Sequence, residues 1–247
     1  MQYRYALTLA ASLAATPIAA ADVRVAHLSP NTPAVDVLAG PAGTDAKVTL
    51  FDGATYPSVT PYVGVPTGSY DIDVVLDEDN SVVGIDVDDF AIDGGTDYTV
   101  AAVGLLGGVG GPPLQALPLV DDNTIDPDAA RVRFVHASSN APAVDIDVAG
   151  GATLFDDVET FTSGGYVSVP AGSYDLDVLL SADRDGGSVL DLDGVALEAG
   201  TVYTVYAIGL VGDSAAPLDA LISVDAVPEP ASVALLGLAG LTLRRRR

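Results

Sequence analysis

The chain is expected to be all-β, built as two tandem β-sandwich domains. Three observations predict this: a two-residue hydrophobic alternation inside short segments, proline and glycine turn signals between them, and a domain-sized internal repeat. No stretch of the body keeps the 3.6-residue period of a helix.

The alternation is clearest from Ser69 to Asp77. Tyr70, Ile72, Val74 and Leu76 fall on one face, and Ser69, Asp71, Asp73 and Asp77 on the other, as in a half-buried strand. Tyr174, Leu176, Val178 and Leu180 repeat the pattern against Asp175 and Asp177. Val65-Pro66-Thr67-Gly68 and Val169-Pro170-Ala171-Gly172 set proline two residues before glycine, the chemistry of a tight turn leading into that strand.

The repeat sets the domains. Val25-Ala26-His27-Leu28-Ser29 returns as Phe134-Val135-His136-Ala137-Ser138, an offset of 109, and Tyr62 to Val74 returns as Tyr166 to Val178, an offset of 104. Gly95 to Val100 and Gly200 to Val205 close the set. A period of this length is too long for a solenoid unit and suits whole domains. The expected organisation is a signal peptide over 1–21, a first sandwich over 22–120, an acidic, proline-broken connection over 121–129, a second sandwich over 130–225 and a sorting tail over 226–247.

Both ends carry address segments. Arg4, the apolar stretch Ala6 to Ala15 and the small residues Ala19-Ala20-Ala21 have the order of a secretory signal peptide, with cleavage expected between Ala21 and Asp22. At the other end Pro228-Glu229-Pro230 precedes an uncharged run from Ala231 to Leu243 and then Arg244, Arg245, Arg246 and Arg247. As a helix that run would span only about 20 Å, against a hydrocarbon core of about 30 Å. The arginines would hold its end at the cytoplasmic face, so membrane contact is expected to be transient and confined to the tail. The two prolines keep the preceding segment extended, open to a peptidase.

This tripartite tail resembles the PEP-CTERM sorting signal of Gram-negative bacteria, with Pro228, Glu229 and Pro230 matching its name-giving motif. The resemblance implies a transient partner, an exosortase-type membrane peptidase that cuts near the motif. The body resembles a family of uncharacterised extracellular domains that occur in tandem, through the Val-Arg-Val opening, the histidine, Pro-Ala-Val-Asp and Pro-x-Gly-Ser-Tyr. Its turn is also similar to those of immunoglobulin-like and prealbumin-like sandwiches. That family has no assigned activity, so the likeness implies fold and export only.

Charge narrows the partners. Outside the terminal segments the chain holds thirty-three acids against five bases, Arg24, Lys47, Arg131, Arg133 and Arg184, a net charge of −28. Such a body repels nucleic acid and anionic lipid and is suited to saline or divalent-rich surroundings, where salt screens its self-repulsion. There is no cysteine, so disulfides, thiolate nucleophiles and cysteine metal sites are excluded.

Catalytic and metal patterns are sparse. His27 shares a strand face with Val23 and Val25, and His136 with Val132 and Phe134, so both are expected to be core histidines bonded to the following turn. A triad of His27, Ser29 and Asp36 is poor: residues two apart on a strand lie about 6.5 Å apart, and a nucleophile must sit within about 3 Å of its base. One histidine per domain without cysteine does not make a zinc site. The weak calcium candidates are Asp77, Asp79, Asp183 and Asp185, in acidic hairpin turns that lack the distal glutamate of a full calcium loop. Gly104 to Gly111 lacks the lysine of a phosphate cradle and reads as a flexible loop. No catalytic residue and no cofactor is assigned, calcium remaining the one candidate ion. The expected function is that of a non-catalytic exported protein of the cell surface or extracellular matrix. The alternatives are a module binding polysaccharide or calcium, with Tyr56, Tyr62 and Tyr166 as sugar-stacking rings, and a secreted hydrolase using clustered acids.

Overall fold

A computed structural model describes residues 20–228, and among these there is no helix. The first repeat supplies β1 (Ala20–His27), β2 (Val35–Pro41), β3 (Val48–Ala54), β4 (Ser58–Val59), β5 (Val63–Pro66), β6 (Gly68–Leu76), β7 (Asp79–Ile92), β8 (Asp97–Val103) and β9 (Gln115–Asp121). The second supplies β10 (Ala130–His136), β11 (Val144–Val148), β12 (Thr153–Val158), β13 (Ser163–Val169), β14 (Gly172–Leu180), β15 (Asp183–Leu197), β16 (Val202–Ile208) and β17 (Asp219–Ala226).

Each repeat makes two sheets that pack as a sandwich. In the first, β3-β2-β6-β7 faces β4-β1-β8-β9, with β5 also paired to β1; in the second, β12-β11-β14-β15 faces β13-β10-β16-β17. At the centre β1 runs parallel to β8, and β10 parallel to β16. The alternation read for β6 holds: Ile72 and Val74 enter the first core beside Val25, Val37 and Phe51. Leu176 and Val178 enter the second beside Phe134, Ile146 and Phe155. The repeated Pro-x-Gly-x-Tyr turn is closed by its own tyrosine. The Tyr70 hydroxyl donates to the Pro66 carbonyl at 2.9 Å and that of Tyr174 to Pro170 at 2.7 Å.

The two inner sheets stack against each other. Ala26, Leu28, Ala101 and Val103 of the first repeat form a buried cluster with Val135, Ala137, Tyr206 and Ile208 of the second. This third core explains why all seven residues of β16 are buried. One face packs on its own sandwich and the other on its neighbour, so the polar half of the alternation is missing.

Two local expectations change, and the expected cleavage point falls inside a strand. β1 starts at Ala20, and Ala21 is buried opposite Val65, so cleavage before Asp22 would remove the first two residues of this strand. Asp121, read as the start of an exposed connection, is the last residue of β9 and buried. The Gly104 loop is pinned: the Leu105 amide donates to Pro112 O, and Asn31 exchanges two hydrogen bonds with the Leu106 backbone. The signal segment before Ala20, and Glu229, Pro230 and Arg244 to Arg247 of the sorting motif, lie outside the described residues.

Candidate functional site

Buried charge gathers where the inner sheets meet. Arg24 on β1 reaches Asp225 on β17 at 2.6 Å, and Arg133 on β10 reaches Asp121 on β9 at 2.6 Å, so each repeat's arginine pairs with the other repeat's aspartate. The remaining diagonals, Arg24 to Asp121 and Arg133 to Asp225, are both 3.9 Å. Thr99 accepts from Arg24 Nε and donates to Asp121, and Thr204 accepts from Arg133 Nε and donates to Asp225. Tyr62 adds a hydroxyl bond to Asp121, and its ring lies under the Arg24 guanidinium at 4.5 Å. Tyr166 is covered by Arg131 at 5.0 Å and Arg133 at 4.9 Å.

The charges cancel within the cluster, two guanidiniums against two carboxylates. Burial works to lower the Arg24 pKa, but Tyr206 and Asp225 outweigh it and the value is raised; Asp121 and Tyr166 do the same for Arg133. Burial pushes the Tyr166 hydroxyl up to about 12. Two of the tyrosines offered as sugar platforms therefore have a ring face taken by guanidinium. Tyr56 packs edge-on against His27 at 6.2 Å.

The histidines sit where their strand pattern placed them. His27 and His136 are almost wholly buried, and each Nε2 lies 2.9 Å from a turn carbonyl, Pro33 O and Pro142 O respectively. A carbonyl only accepts, so Nε2 carries the proton and Nδ1 is left a lone pair with no partner in either ring. Burial lowers both pKa values, and the turn carbonyls only partly counter it. Ser29, the rejected nucleophile, bonds Thr32 and Gly104 O instead.

Among the described residues, one cluster of carboxylates could hold an ion. Asp36 on β2, Asp52 on β3 and Asp77 after β6 bring one oxygen each to within 4.8 Å of one another. Two oxygens bound to one calcium lie at most about 5 Å apart, twice the bond length, so the spacing fits a hard divalent cation. Asp36 is buried and accepts from the Gly53 amide at 2.8 Å, while Asp52 and Asp77 stand in solvent. The Asn80 side chain reaches the same group. With its NH2 turned inward it donates to Leu76 O and Asp36 Oδ2; with its carbonyl inward it adds an oxygen. Partial desolvation, and then the charges of Asp36 and Asp52, raise the pKa of Asp77.

The second repeat answers the same geometry with a cation of its own. Asp145 and Asp156 occupy the places of Asp36 and Asp52, and Ser181 that of Asp77. The Arg184 guanidinium lies among them, paired to Asp145, to Asp147 at 2.6 Å and to Asp156 at 3.7 Å. Burial raises the Asp145 pKa, but the Asp157 amide, Ser181 and Arg184 outweigh it and the net shift is downward.

Of the calcium candidates named from the turns, then, the structure brings only Asp77 into an acid cluster. Asp79 is turned to Ser81, accepting from its amide and hydroxyl. Among the described residues Asp183 and Asp185 join no such cluster, and the residue between them, Arg184, is the one that reaches inward. Asp36 and Asp52 were missed because they come from two other strands. The signal for the buried pairs was present but unused: two of the five body bases stand at the same repeat position.

Residues 21–147 and 146–236 each match the family model described as Domain of unknown function (DUF4397), and residues 226–247 match the PEP-CTERM protein-sorting motif. No curated protein matches the chain. Solved structures resemble it faintly. The tip fimbrial protein Mfa3 of Porphyromonas gingivalis is 9% identical with a TM-score of 0.23, over 83% of this chain and 99% of that one. The family CBM26 module of Eubacterium rectale Amy13K, solved with maltoheptaose, is 10% identical with a TM-score of 0.24, over 84% and 98%. The Bacillus anthracis TIE protein is 10% identical with a TM-score of 0.22, over 78% of this chain and only 34% of that one.

Proposed function

We propose, from the premise that the chain belongs to the family described as a domain of unknown function (DUF4397) and carries it twice, that it is a non-catalytic component of the cell surface or extracellular matrix. Its PEP-CTERM motif makes it an exported protein sorted by an exosortase, the partner that its tail meets in the membrane. The observation that carries the reading is the crossed ion pairing between the repeats. Arg24, Arg133, Asp121 and Asp225, the fully buried charges of the interface, are spent on joining two sandwiches into one body. The histidines are bonded to their own turns, and among the described residues neither ring bonds a serine or threonine hydroxyl. A hydrolytic acid pair needs one carboxyl kept protonated in a cleft, and Asp52 and Asp77 are solvated. Sugar binding finds no support in Tyr62 and Tyr166, whose rings lie against guanidinium. Intact-mass analysis of material from culture supernatant and envelope tests the reading. The mature species is expected to lack the residues before Ala21 or Asp22 and the Arg244 to Arg247 cluster, and material retaining Arg247 in the inner membrane overturns it.

A second reading, that the first repeat binds a divalent cation at Asp36, Asp52 and Asp77, is favoured by Arg184. The same corner of the second repeat carries a built-in positive charge, and the first has only carboxylates and Asn80. Calorimetric titration with Ca²⁺ should give saturable heat that the pair Asp52→Asn, Asp77→Asn removes. No heat at millimolar Ca²⁺ ends this reading.

A further inference from the structure

Inside the first sandwich lies a cavity of about 150 Å³ lined by apolar side chains, among them Val25, Val37, Phe51, Ile72, Ile85 and Phe90. The matching space in the second sandwich is about 10 Å³. Protein interiors are close-packed, with few voids larger than a water molecule, so the first value calls for a cause. Strand-by-strand alignment of the repeats supplies it. Val25 is replaced by Phe134, Val37 by Ile146, Ala39 by Val148 and Val87 by Leu192, which together add more volume than the reverse change, Phe90 to Val195, removes. The Phe134 ring fills the second core and meets Phe155 with centroids 5.9 Å apart. In the first repeat Phe51 has only Val25 in that place. The fold can therefore close this space, and the first repeat leaves it open through its side-chain choice.

We propose that the first sandwich is a binding site for a small uncharged apolar molecule, up to about the size of a benzene ring. Water is a poor occupant, because it needs two to four polar partners and the lining offers carbon. A carbon-walled void of about 150 Å³ stays dry and takes up benzene or xenon. Charged and sugar ligands are excluded by the same lining, since a polar group placed there loses its hydration with nothing in return. The site is independent of the acid cluster and of the sorting tail.

Benzene is the probe, with methyl-resolved NMR on the whole protein as the readout. Saturable shifts are expected at Val37, Ile72 and Ile85, and none at the corresponding Ile146, Leu176 and Leu190. Val25→Phe, which copies the second repeat, should abolish the shifts and raise the melting temperature. Phe134→Val should open the second core and bring benzene shifts to Ile146 and Leu176. If Val25→Phe fails to fold, the wild-type contrast between repeats and the Phe134→Val transplant decide. First-repeat methyls that stay still at benzene saturation, or shifts equal in both repeats, overturn the proposal.

Discussion

Arg24 and Asp225 stand 201 residues apart in the chain and 2.6 Å apart in the fold, each side chain at most 3% exposed. Arg24 lies just past the expected signal cleavage point and Asp225 just before the sorting tail. The pair thus ties together the first and last strands of the body and, with its counterpart Arg133 to Asp121, staples one repeat to the other.

Removing one partner should cost more than removing both. Asp225→Ala leaves two buried guanidiniums against Asp121 alone, an expected loss of about 3–5 kcal/mol, while Arg24→Met combined with Asp225→Leu should recover much of it. Urea denaturation of the two single variants and the double variant measures the coupling; strictly additive losses would show that the pair does not act as one.

Acid should weaken the fold first through the histidines. Their folded pKa values lie below the ordinary 6.5, so the unfolded chain takes up protons that the folded one refuses. Their contribution is fully present above about pH 6.5 and is lost as the pH falls toward the folded values, by up to about 1.4 kcal/mol per pH unit for each ring. Asp77 works in the opposite sense in the more acid range, because its pKa is raised. Denaturation curves between pH 7.5 and 5 should flatten in the double variant His27→Gln, His136→Gln; an unchanged slope would place the titration elsewhere.

Two glycines at the β8–β9 and β16–β17 loops should resist substitution. A Cβ on Gly104 would sit 2.2 Å from Pro113 O and one on Gly209 2.0 Å from Pro217 O, both with positive φ. Alanine at either is expected to cost about 3 kcal/mol or more through clash and strain together. Gly212→Ala, equally left-handed but with open space around it, should cost about 1 kcal/mol. Melting temperatures of the three variants give the ranking.

Salt should stabilise the whole body. With a net charge of −28 on the expected mature domains, screening of self-repulsion is expected to raise the melting temperature from dilute buffer to molar sodium chloride. Identical melting in both would remove the link between charge and a saline habitat.

Residue order alone settles what is local. Alternation in Tyr70 to Leu76 placed β6 and its buried face, the Pro66 and Gly68 turn placed its start, the offset of Val25-Ala26-His27 and Phe134-Val135-His136 showed a repeated body, and Pro228-Glu229-Pro230 showed the sorting tail. Each of these follows from backbone geometry or from neighbouring residues, so a one-dimensional pattern suffices. The crossed pairing of Arg24 with Asp225, the meeting of Asp36 with Asp52 and Asp77, the place of Arg184 in the second repeat and the void beside Val25 emerge in the folded molecule alone. These depend on how sheets dock and how side-chain volumes sum across strands far apart in the chain. Burial on a strand's second face is set by its neighbour, which is why β16 shows no alternation and why Asp121 looks like a solvated linker until the other half of the molecule covers it.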